Sequence, residues 1–234
     1  MNRLKLRGGE HQGKGEQGIE LCVFLFLVVP SMAVSFFTAR QVQLSFVLTA
    51  TSTILLNLAL MGLVLYFLWK NRESLDMVGL VSHTVWLDVV LGLVLFFPVY
   101  LSVNYLERAL NWIGLSSPKA LLPFLVPMGT GQKFLAFLLV TVVAVTEETV
   151  FRGYLIHRFR NITGSPAVAV LVSSVIFSLG HGYQGPAALI VVFLLGVIFS
   201  LIFLIRKNLV APIIMHFLQD FVGILILPVM AAGL

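Results

Sequence analysis

Long apolar segments constrain the fold of this chain more than any other feature of its sequence. Each is close to 20 residues long or longer, and polar residues are confined mainly to the stretches between them. The segments are residues 21–39, 44–69, 84–106, 133–157, 166–182, 186–205 and 209–230. A helix needs about 20 predominantly apolar residues to cross the hydrocarbon core of a bilayer. The sequence therefore predicts an all-α fold, a polytopic transmembrane helical bundle.

The composition agrees with a membrane protein and excludes several other classes. Hydrophobic residues make up 59% of the chain and charged residues 11%, and the mean hydropathy is +1.02. Soluble domains have about 45–50% apolar and 25% charged residues, so an ordinary water-soluble globule is excluded. A single cysteine, Cys22, excludes an internal disulfide framework and a multi-cysteine metal site. The basic residues lie between apolar segments and form no stripe with aromatic residues, so we expect no nucleic-acid partner.

The distribution of basic residues predicts the orientation of the chain. If the N-terminus is cytoplasmic, 11 of the 15 Lys and Arg residues fall on the cytoplasmic side, as the positive-inside rule requires. Residues 1–19 are polar and glycine-rich, which predicts a flexible basic cytoplasmic tail before a single transmembrane domain over residues 20–234. Residues 120–128 are apolar but short and contain Pro123 and Pro127, which predicts a re-entrant or interfacial segment.

Six ionisable side chains fall within the last four apolar segments, where hydrocarbon should surround them. They are Glu147, Glu148, Arg152, His181, His216 and Asp220. A charged side chain at the centre of a spanning helix costs about 2.5–3.5 kcal/mol on the insertion scale. These residues therefore need a shared polar interior or a hydrated cavity, and a functional role is the default hypothesis. Asp88, near the start of the third segment, is instead predicted to be a boundary or packing residue.

The spacing of these residues predicts which of them interact. Glu148 and Arg152 are four residues apart, so they share a helix face and can form an ion pair. Glu147 points about 100° away from Glu148 and is free to serve a different neighbour. His216 and Asp220 are also four apart, so Asp220 can accept a hydrogen bond that fixes the tautomer of His216.

The depth of the polar groups in the bilayer provides a separate prediction. Helix rise places Glu147, His181 and His216 roughly 20, 22 and 15 Å from the cytoplasmic ends of their segments. Three helices that run in alternating directions thus bring polar groups to similar depths. We expect these residues to meet in one buried site.

Three short motifs carry a resemblance to a known family. Residues 147–152 match the pattern Glu-Glu-x-x-x-Arg, residues 177–181 match Phe-x-x-x-His, and residues 216–220 match His-x-x-x-Asn/Asp. Their order on successive late segments, within 133–230, resembles the CPBP family of intramembrane proteases. That family includes the CAAX prenyl endopeptidases and bacterial relatives linked to bacteriocin processing and self-immunity. Its members often have eight spans, so the resemblance implies a bundle of seven to eight.

The resemblance implies a metal-independent glutamate protease that needs no cofactor. By position, Glu147 looks like the general base that activates a water, and His181 like a residue that assists it. Glu148 and Arg152 correspond to supporting residues of the first motif. A carboxylate in an apolar pocket is suited to take a proton from water and return it later.

The third motif implies a pair of residues that stabilise the developing oxyanion, here His216 and Asp220. Position 220 is Asp where the best-known prenyl-protein members have Asn. An ionised carboxylate cannot donate a hydrogen bond to an oxyanion. Two roles for Asp220 follow: it orients His216, or it stays protonated and donates.

Other interpretations of the same side chains remain open. Hydroxyls in membrane helices usually bond to backbone carbonyls, which disfavours a nucleophilic role for Ser173, Ser174 or Ser178 near His181. The pair of Glu148 and Arg152 can equally be a structural ion pair with no chemistry.

Two rival functions are compatible with the sequence. Glu147, His181, His216 and Asp220 could together bind zinc in a metal-dependent hydrolase, although the chain lacks His-Glu-x-x-His. A non-enzymatic membrane protein, such as a bacteriocin immunity factor or a proton-relay carrier, also uses intramembrane carboxylates and histidines. The protease interpretation predicts a membrane-anchored protein or peptide as substrate, prenylated or not, the lipid bilayer as a second partner, and a location in the bacterial inner membrane.

Overall fold

The computed structural model describes residues 13–38, 45–115 and 125–232, and this part of the chain is helical without any strand. Seven helices follow one another, joined by turns and two short 3₁₀ segments, Leu75–Val78 and Gly182–Gln184. The helices are α1 Lys14–Thr38, α2 Phe46–Lys70, α3 Val85–Trp112, α4 Gly129–Thr163, α5 Pro166–Leu179, α6 Pro186–Arg206 and α7, which begins at Val210 and ends at Ala232. The predicted all-α bundle is confirmed.

Four helices in the described part are long and apolar enough to cross a bilayer, namely α2, α3, α4 and α6. The apolar helices α5 and Val210–Ile226 of α7 are shorter. With 14 residues, α5 reaches about 21 Å, which is less than the roughly 30 Å of the hydrocarbon core. The chain is an integral membrane protein. Helix α5 is shorter than its predicted span, since it ends at Leu179 instead of residue 182.

Two further predictions from the sequence concern the tail at residues 1–19 and the apolar segment at residues 120–128, which precedes α4. The first helix already begins at Lys14, so residues 14–19, predicted to be part of a tail, are helical. Their helix is anchored by Glu20, which accepts two hydrogen bonds from the Asn71 amide at 3.1 and 2.9 Å. Residues 1–12 and most of the segment 120–128 lie outside the described residues.

The helix ends follow from local sequence signals. The Ser45 hydroxyl accepts a hydrogen bond from the Leu48 amide at 3.2 Å and caps α2, and Ser165 caps α5 through the Val168 amide at 3.3 Å. Pro166 begins α5, a position where its missing N–H costs nothing. Gly164, with φ +73°, ends α4 in the left-handed conformation that glycine adopts without strain.

Small residues allow three of the helix contacts to be close. A Cβ on Gly196 of α6 would lie 2.9 Å from the Ser174 Cβ of α5, and one on Gly92 of α3 would lie 2.9 Å from the Ala211 carbonyl oxygen of α7. On α4, a Cβ on Gly153 would lie 2.6 Å from the Val78 carbonyl oxygen in the α2–α3 connection. The helices approach closely at these glycines, and side chains larger than hydrogen would separate the elements.

The α2–α3 connection also ties together the helix ends at one side of the bundle. Arg158 at the end of α4 is buried and donates two hydrogen bonds of 2.6 Å to the Glu73 carboxylate. Asp88 is buried at the start of α3 and accepts a 2.6 Å hydrogen bond from Arg206 and a 2.9 Å bond from Asn208. These contacts agree with the predicted packing role of Asp88.

Candidate active site

Two interruptions of the α-helical pattern lie directly beside the motif residues. In α4 the seven residues Thr149–Leu155 form a π-helix immediately after Glu148. In α7 the five residues Val222–Ile226 form another, two positions after Asp220. π-Helical turns are rare and occur often at functional sites, because the extra residue rotates the following side chains relative to those before it. Both helices that carry acidic motif residues therefore have specialised backbone at the candidate site.

A chain of two short polar contacts joins α4 to α7 at the centre of the site. The Arg152 guanidinium donates to the Glu148 carboxylate through Nη1–Oε1 at 2.8 Å, as the spacing predicts. The same Oε1 lies 2.7 Å from Nδ1 of His216. A carboxylate paired with Arg is ionised and only accepts hydrogen bonds, so Nδ1 of His216 carries the proton. All three residues are buried.

The other nitrogen of His216 faces two further carboxylates. Its Nε2 lies 3.9 Å from Oε2 of Glu147 and 3.6 Å from Oδ2 of Asp220. Both distances exceed hydrogen-bond length, but they place the groups in one electrostatic cluster. The side chains of Glu147 and Asp220 are 21% and 31% exposed, against 0–6% for Glu148 and His216. Glu147 and Asp220 therefore form the partly exposed side of the site, which we call the reachable side.

This geometry corrects the sequence-based prediction for the tautomer of His216. Asp220 does not make the hydrogen bond that fixes the ring, because its nearest oxygen is 3.6 Å away. Glu148, which the sequence pairs with Arg152 alone, holds the imidazole instead. The i to i+4 rule identifies neighbours within one helix, whereas the contact between Glu148 and His216 joins two helices.

His181 reaches the same region from a turn instead of a helix. Because α5 ends at Leu179, His181 lies between that helix and the 3₁₀ segment Gly182–Gln184. Its Nδ1 donates a 3.1 Å hydrogen bond to the Phe177 carbonyl oxygen, which leaves Nε2 free. Among the described residues, no direct hydrogen bond or ion pair joins His181 to Glu147.

Aromatic rings cover the buried side of this cluster. The centre of the Phe177 ring is 4.1 Å from Cζ of Arg152, and the ring also packs against His181 and His216 with centroid separations of 5.0 and 6.0 Å. Phe199 of α6 lies 5.3 Å from Cζ of Arg152 and 6.2 Å from the His216 ring. No sequence signal marks Phe199, because an aromatic residue in an apolar helix is usually a packing residue.

Several polar atoms of the cluster are buried and have no hydrogen-bond partner within the described part of the chain. They are Oε2 of Glu147, Oε2 of Glu148 and Nη2 of Arg152. Leaving polar atoms of charged groups unpaired is costly in a folded protein. Such atoms are expected where a protein keeps polar groups available for a bound molecule instead of satisfying them internally.

The serines near the site behave mainly as membrane-helix hydroxyls. Ser173 donates to the Phe151 carbonyl oxygen at 2.7 Å and Ser178 to the Val175 carbonyl oxygen at 2.9 Å. Ser174 has a buried hydroxyl without a partner and lies against Gly196. Within the described parts of the chain, no group of three or more His, Cys, Asp or Glu side chains is arranged to hold a metal ion.

One comparison with known proteins finds a similarity over the part of the chain that contains this site. Residues 130–222 match the model of a family described as Rce1-like, type II CAAX prenyl endopeptidase. No curated protein and no solved structure matches the chain. The matched segment contains all three motifs and every candidate site residue, so it supports the family resemblance that the motifs carry. Residues 130–222 of the chain are therefore similar to the Rce1-like family of type II CAAX prenyl endopeptidases.

Proposed function

We propose that this protein is an intramembrane endopeptidase that hydrolyses peptide bonds of membrane-associated proteins or peptides with a water activated by Glu147. One observation carries the proposal. The Glu147 carboxylate lies beside Nε2 of His216, on the reachable side of a cluster whose buried side is fixed by Glu148 and Arg152. A base and an oxyanion donor are thus adjacent, and the donor is held in place by Glu148.

The base in this scheme is Glu147. Its carboxylate takes a proton from a water molecule, and the resulting hydroxide attacks the carbonyl carbon of the scissile amide. The C–N bond of the resulting tetrahedral intermediate then breaks, the proton passes from Glu147 to the leaving amine, and a carboxylic acid, which ionises in water, and an amine are released. The unpaired, buried Oε2 of Glu147 supports this assignment, because its neighbour Glu148 already binds Arg152 and His216. A positioned base of this kind contributes about 10²–10⁴-fold in rate.

The oxyanion donor in this scheme is Nε2 of His216. Since Nδ1 is committed to Glu148, donation from Nε2 requires the doubly protonated, positively charged ring. Glu147, Glu148 and Asp220 all lie within 4 Å of that ring and stabilise such a charge by Coulomb attraction. A well-aimed oxyanion donor contributes about 2.7–4 kcal/mol of transition-state stabilisation.

His181 and Asp220 complete the reachable side. The free Nε2 of His181 is available to hydrogen-bond the attacking water or the substrate, which fits an assisting role. Asp220 contributes charge near His216, and when protonated it can also donate a hydrogen bond. His181 is anchored only through Nδ1 to the Phe177 carbonyl oxygen, and the Asp220 carboxylate lies 3.6 Å from Nε2 of His216, so Nε2 of His181 and the Asp220 carboxylate can adjust when a substrate binds.

The proposed substrates are proteins or peptides attached to the membrane. The matched family is described as CAAX prenyl endopeptidase, which favours a substrate with a prenylated C-terminus, and an unprenylated membrane-anchored tail is the second possibility. With the N-terminus in the cytoplasm of a bacterial cell, the helix ends that carry Arg158 and Arg206 would face the cytoplasm. The peptide bond would then be cut within or near the cytoplasmic leaflet.

The proposal is tested by comparing the protein termini in cells that express the wild type or Glu147→Gln at equal levels. The substitution keeps the size of the side chain and removes the base. Glu107→Gln on α3 is the matched control, because it changes a glutamate on another apolar helix outside the site. We expect a set of new C-termini that is present with the wild type and Glu107→Gln and absent with Glu147→Gln.

An unchanged set of termini in all three strains would overturn the proposal and favour a binding or transport function. The same cleavage, followed in purified membranes with a chelator, separates the two hydrolytic mechanisms. Persistence of cleavage in the chelator supports glutamate catalysis. Loss of cleavage that added zinc restores would instead support a metal-dependent hydrolase.

A further inference from the structure

Helix α6 contributes no residue to the three motifs, but it places one aromatic side chain against the candidate site. Phe199 is only 2% exposed. Its ring centre lies 5.3 Å from Cζ of Arg152 and 6.2 Å from the ring of His216. It therefore contacts the first and the last residue of the polar chain that runs from Arg152 through Glu148 to His216.

Phe199 and Phe177 together form an aromatic enclosure for the Arg152 guanidinium. The Phe177 ring lies at 4.1 Å and the Phe199 ring at 5.3 Å from Cζ. A guanidinium within about 6 Å of a ring centre is attracted by the negative face of the ring, most strongly where water is excluded. Arg152 is 1% exposed, and no hydrogen-bond partner of its Nη2 is found among the residues that the structure describes. The two rings therefore supply much of the stabilisation that this buried cation receives besides its pair with Glu148.

We propose that Phe199 is a positioning residue for the hydrolytic reaction: its ring holds Arg152 against Glu148, and Glu148 in turn holds His216 with Nε2 toward Glu147 and Asp220. The kinetic part of this inference rests on the proposed function. Phe199 is buried behind Arg152, on the side of the His216 ring away from the proposed water and substrate, and touches neither of them. Weakening the attraction between the Phe199 ring and the Arg152 guanidinium should consequently lower kcat and leave KM nearly unchanged.

Fluorinated phenylalanines at position 199 test the proposal, because successive fluorine atoms weaken the negative ring face while changing its size little. Phe203 is the matched control: it lies one turn further along α6, is 7% exposed and belongs to the main apolar core. The variants are reconstituted in liposomes with a fluorogenic peptide that ends in a farnesylated CAAX sequence, or with its unprenylated form if only that is cleaved.

The expected result is a graded fall in kcat with each added fluorine at position 199, reaching about tenfold for the trifluorinated ring, with no trend at position 203. Equal trends at both positions would show that only packing matters and would overturn the proposal. A kcat that does not change along the series at position 199 would overturn it as well.

A second readout separates this proposal from the proposed function. Nuclear magnetic resonance of ¹⁵N-labelled histidine reports the proton on Nδ1 of His216, whether or not the protein cleaves a peptide. We expect its resonance to move progressively along the series at position 199 and to stay constant along the series at position 203. If the wild type cleaves neither peptide, the proposed function fails, and this resonance alone decides whether Phe199 positions the pair.

Discussion

At the scale of single residues, His216 organises the candidate site. Its two nitrogens have different surroundings: Nδ1 donates to Glu148 at 2.7 Å, and Nε2 faces Glu147 at 3.9 Å and Asp220 at 3.6 Å. One side of the ring is thus fixed and buried, and the other is left for a substrate. The positions of Arg152 and Glu148 matter because they hold Nδ1 of His216 as a donor to Glu148 and thereby direct Nε2 toward Glu147 and Asp220.

Replacing Arg152 with alanine should destabilise the protein strongly, because Glu148 would be left as a buried charge without its cation. Both side chains are at most 1% exposed. Breaking one partner of a buried pair costs about 3–5 kcal/mol. Denaturant titration in mixed micelles measures the free energy of unfolding. Arg160→Ala changes an exposed arginine on the same helix and should cost less than about 1 kcal/mol. Similar losses for the two variants would contradict a buried ion pair.

Substitutions at Asp220 test what kind of group this position requires. Asparagine keeps a polar side chain that can donate a hydrogen bond, so Asp220→Asn should retain kcat within about tenfold of the wild type. Leucine removes both the charge and any donor, and Asp220→Leu should lower kcat about 100-fold. Steady-state cleavage of the farnesylated peptide measures both. If Asp220→Asn were as inactive as Asp220→Leu, the negative charge itself would be essential, and wild-type rates in both variants would place Asp220 outside the reaction.

Much of the site could be predicted from the sequence, but the predicted contacts are limited to residues of the same helix. The pair of Glu148 and Arg152 follows from their spacing, and the cost of burying ionisable groups selects all six candidate residues. The hydrogen bond between Glu148 and His216 could not be predicted, because it depends on how α4 and α7 are rotated relative to each other. Phe199 was missed for a similar reason: its contact with Arg152 exists only after α6 has packed.

At the scale of secondary-structure elements, the π-helix of α4 is the most specialised part of the fold. It lies between Glu148 and the end of α4, and Gly153 within it packs directly on Val78, the last residue of the 3₁₀ segment Leu75–Val78 before the turn at Gly79. Leu209, at the start of α7, donates a 2.9 Å backbone hydrogen bond to the Gly79 carbonyl oxygen in that same turn. The turn between α2 and α3 thus supports both helices that carry acidic motif residues.

Gly153→Ala should destabilise the protein, because the new Cβ would lie 2.6 Å from the Val78 carbonyl oxygen. Overpacking of this kind costs about 1–3 kcal/mol. Gly131→Ala is the matched control, since that glycine lies on α4 and a methyl group added there would have nothing within 4 Å. Alanine there should be neutral or stabilise the helix by up to about 1 kcal/mol. Thermal unfolding in detergent measures both changes, and a stable Gly153→Ala variant would contradict the close contact.

The elements could be predicted in number and type, although not at every boundary. The apolar segments indicate all seven helices of the described part. The end of α5 at Leu179 and the π-helical segments were not predicted, because hydropathy is the same on either side of these points. The π-helical segment of α4 goes with the packing of Gly153, and the end of α5 goes with the turn at His181. Both depend on contacts between residues that are distant in sequence.

At the scale of the whole molecule, polar contacts concentrate where the helix ends meet the α2–α3 connection. Glu73 in that connection joins it to the end of α4 through Arg158 and His157. Burial by itself raises the pKa of the Glu73 carboxyl, but hydrogen bonds from His157 and Arg158 outweigh it and lower this pKa from 4.5 to about 2. The ion pair therefore stabilises the fold above about pH 4.5 and loses its effect as the pH falls toward 2.

Glu73→Gln makes this pH dependence measurable. At pH 7 the variant should be less stable than the wild type, because it lacks the charge that pairs with Arg158. The difference in free energy of unfolding should shrink as the pH is lowered from about 4.5 and vanish near pH 2, where the wild-type carboxyl also becomes neutral. Thermal unfolding at several pH values measures it. A difference that persists unchanged at pH 2 would contradict the ion pair as its cause.

The central claim is that Glu147 activates the water that cleaves a membrane-associated substrate. The most direct test is the cleavage rate of the farnesylated peptide and its unprenylated form by purified wild type, Glu147→Gln and Glu107→Gln in liposomes. We expect the wild type and Glu107→Gln to cleave at least one peptide at the same rate and Glu147→Gln to be slower by about 10²–10⁴-fold. Cleavage by Glu147→Gln at the wild-type rate would contradict this claim.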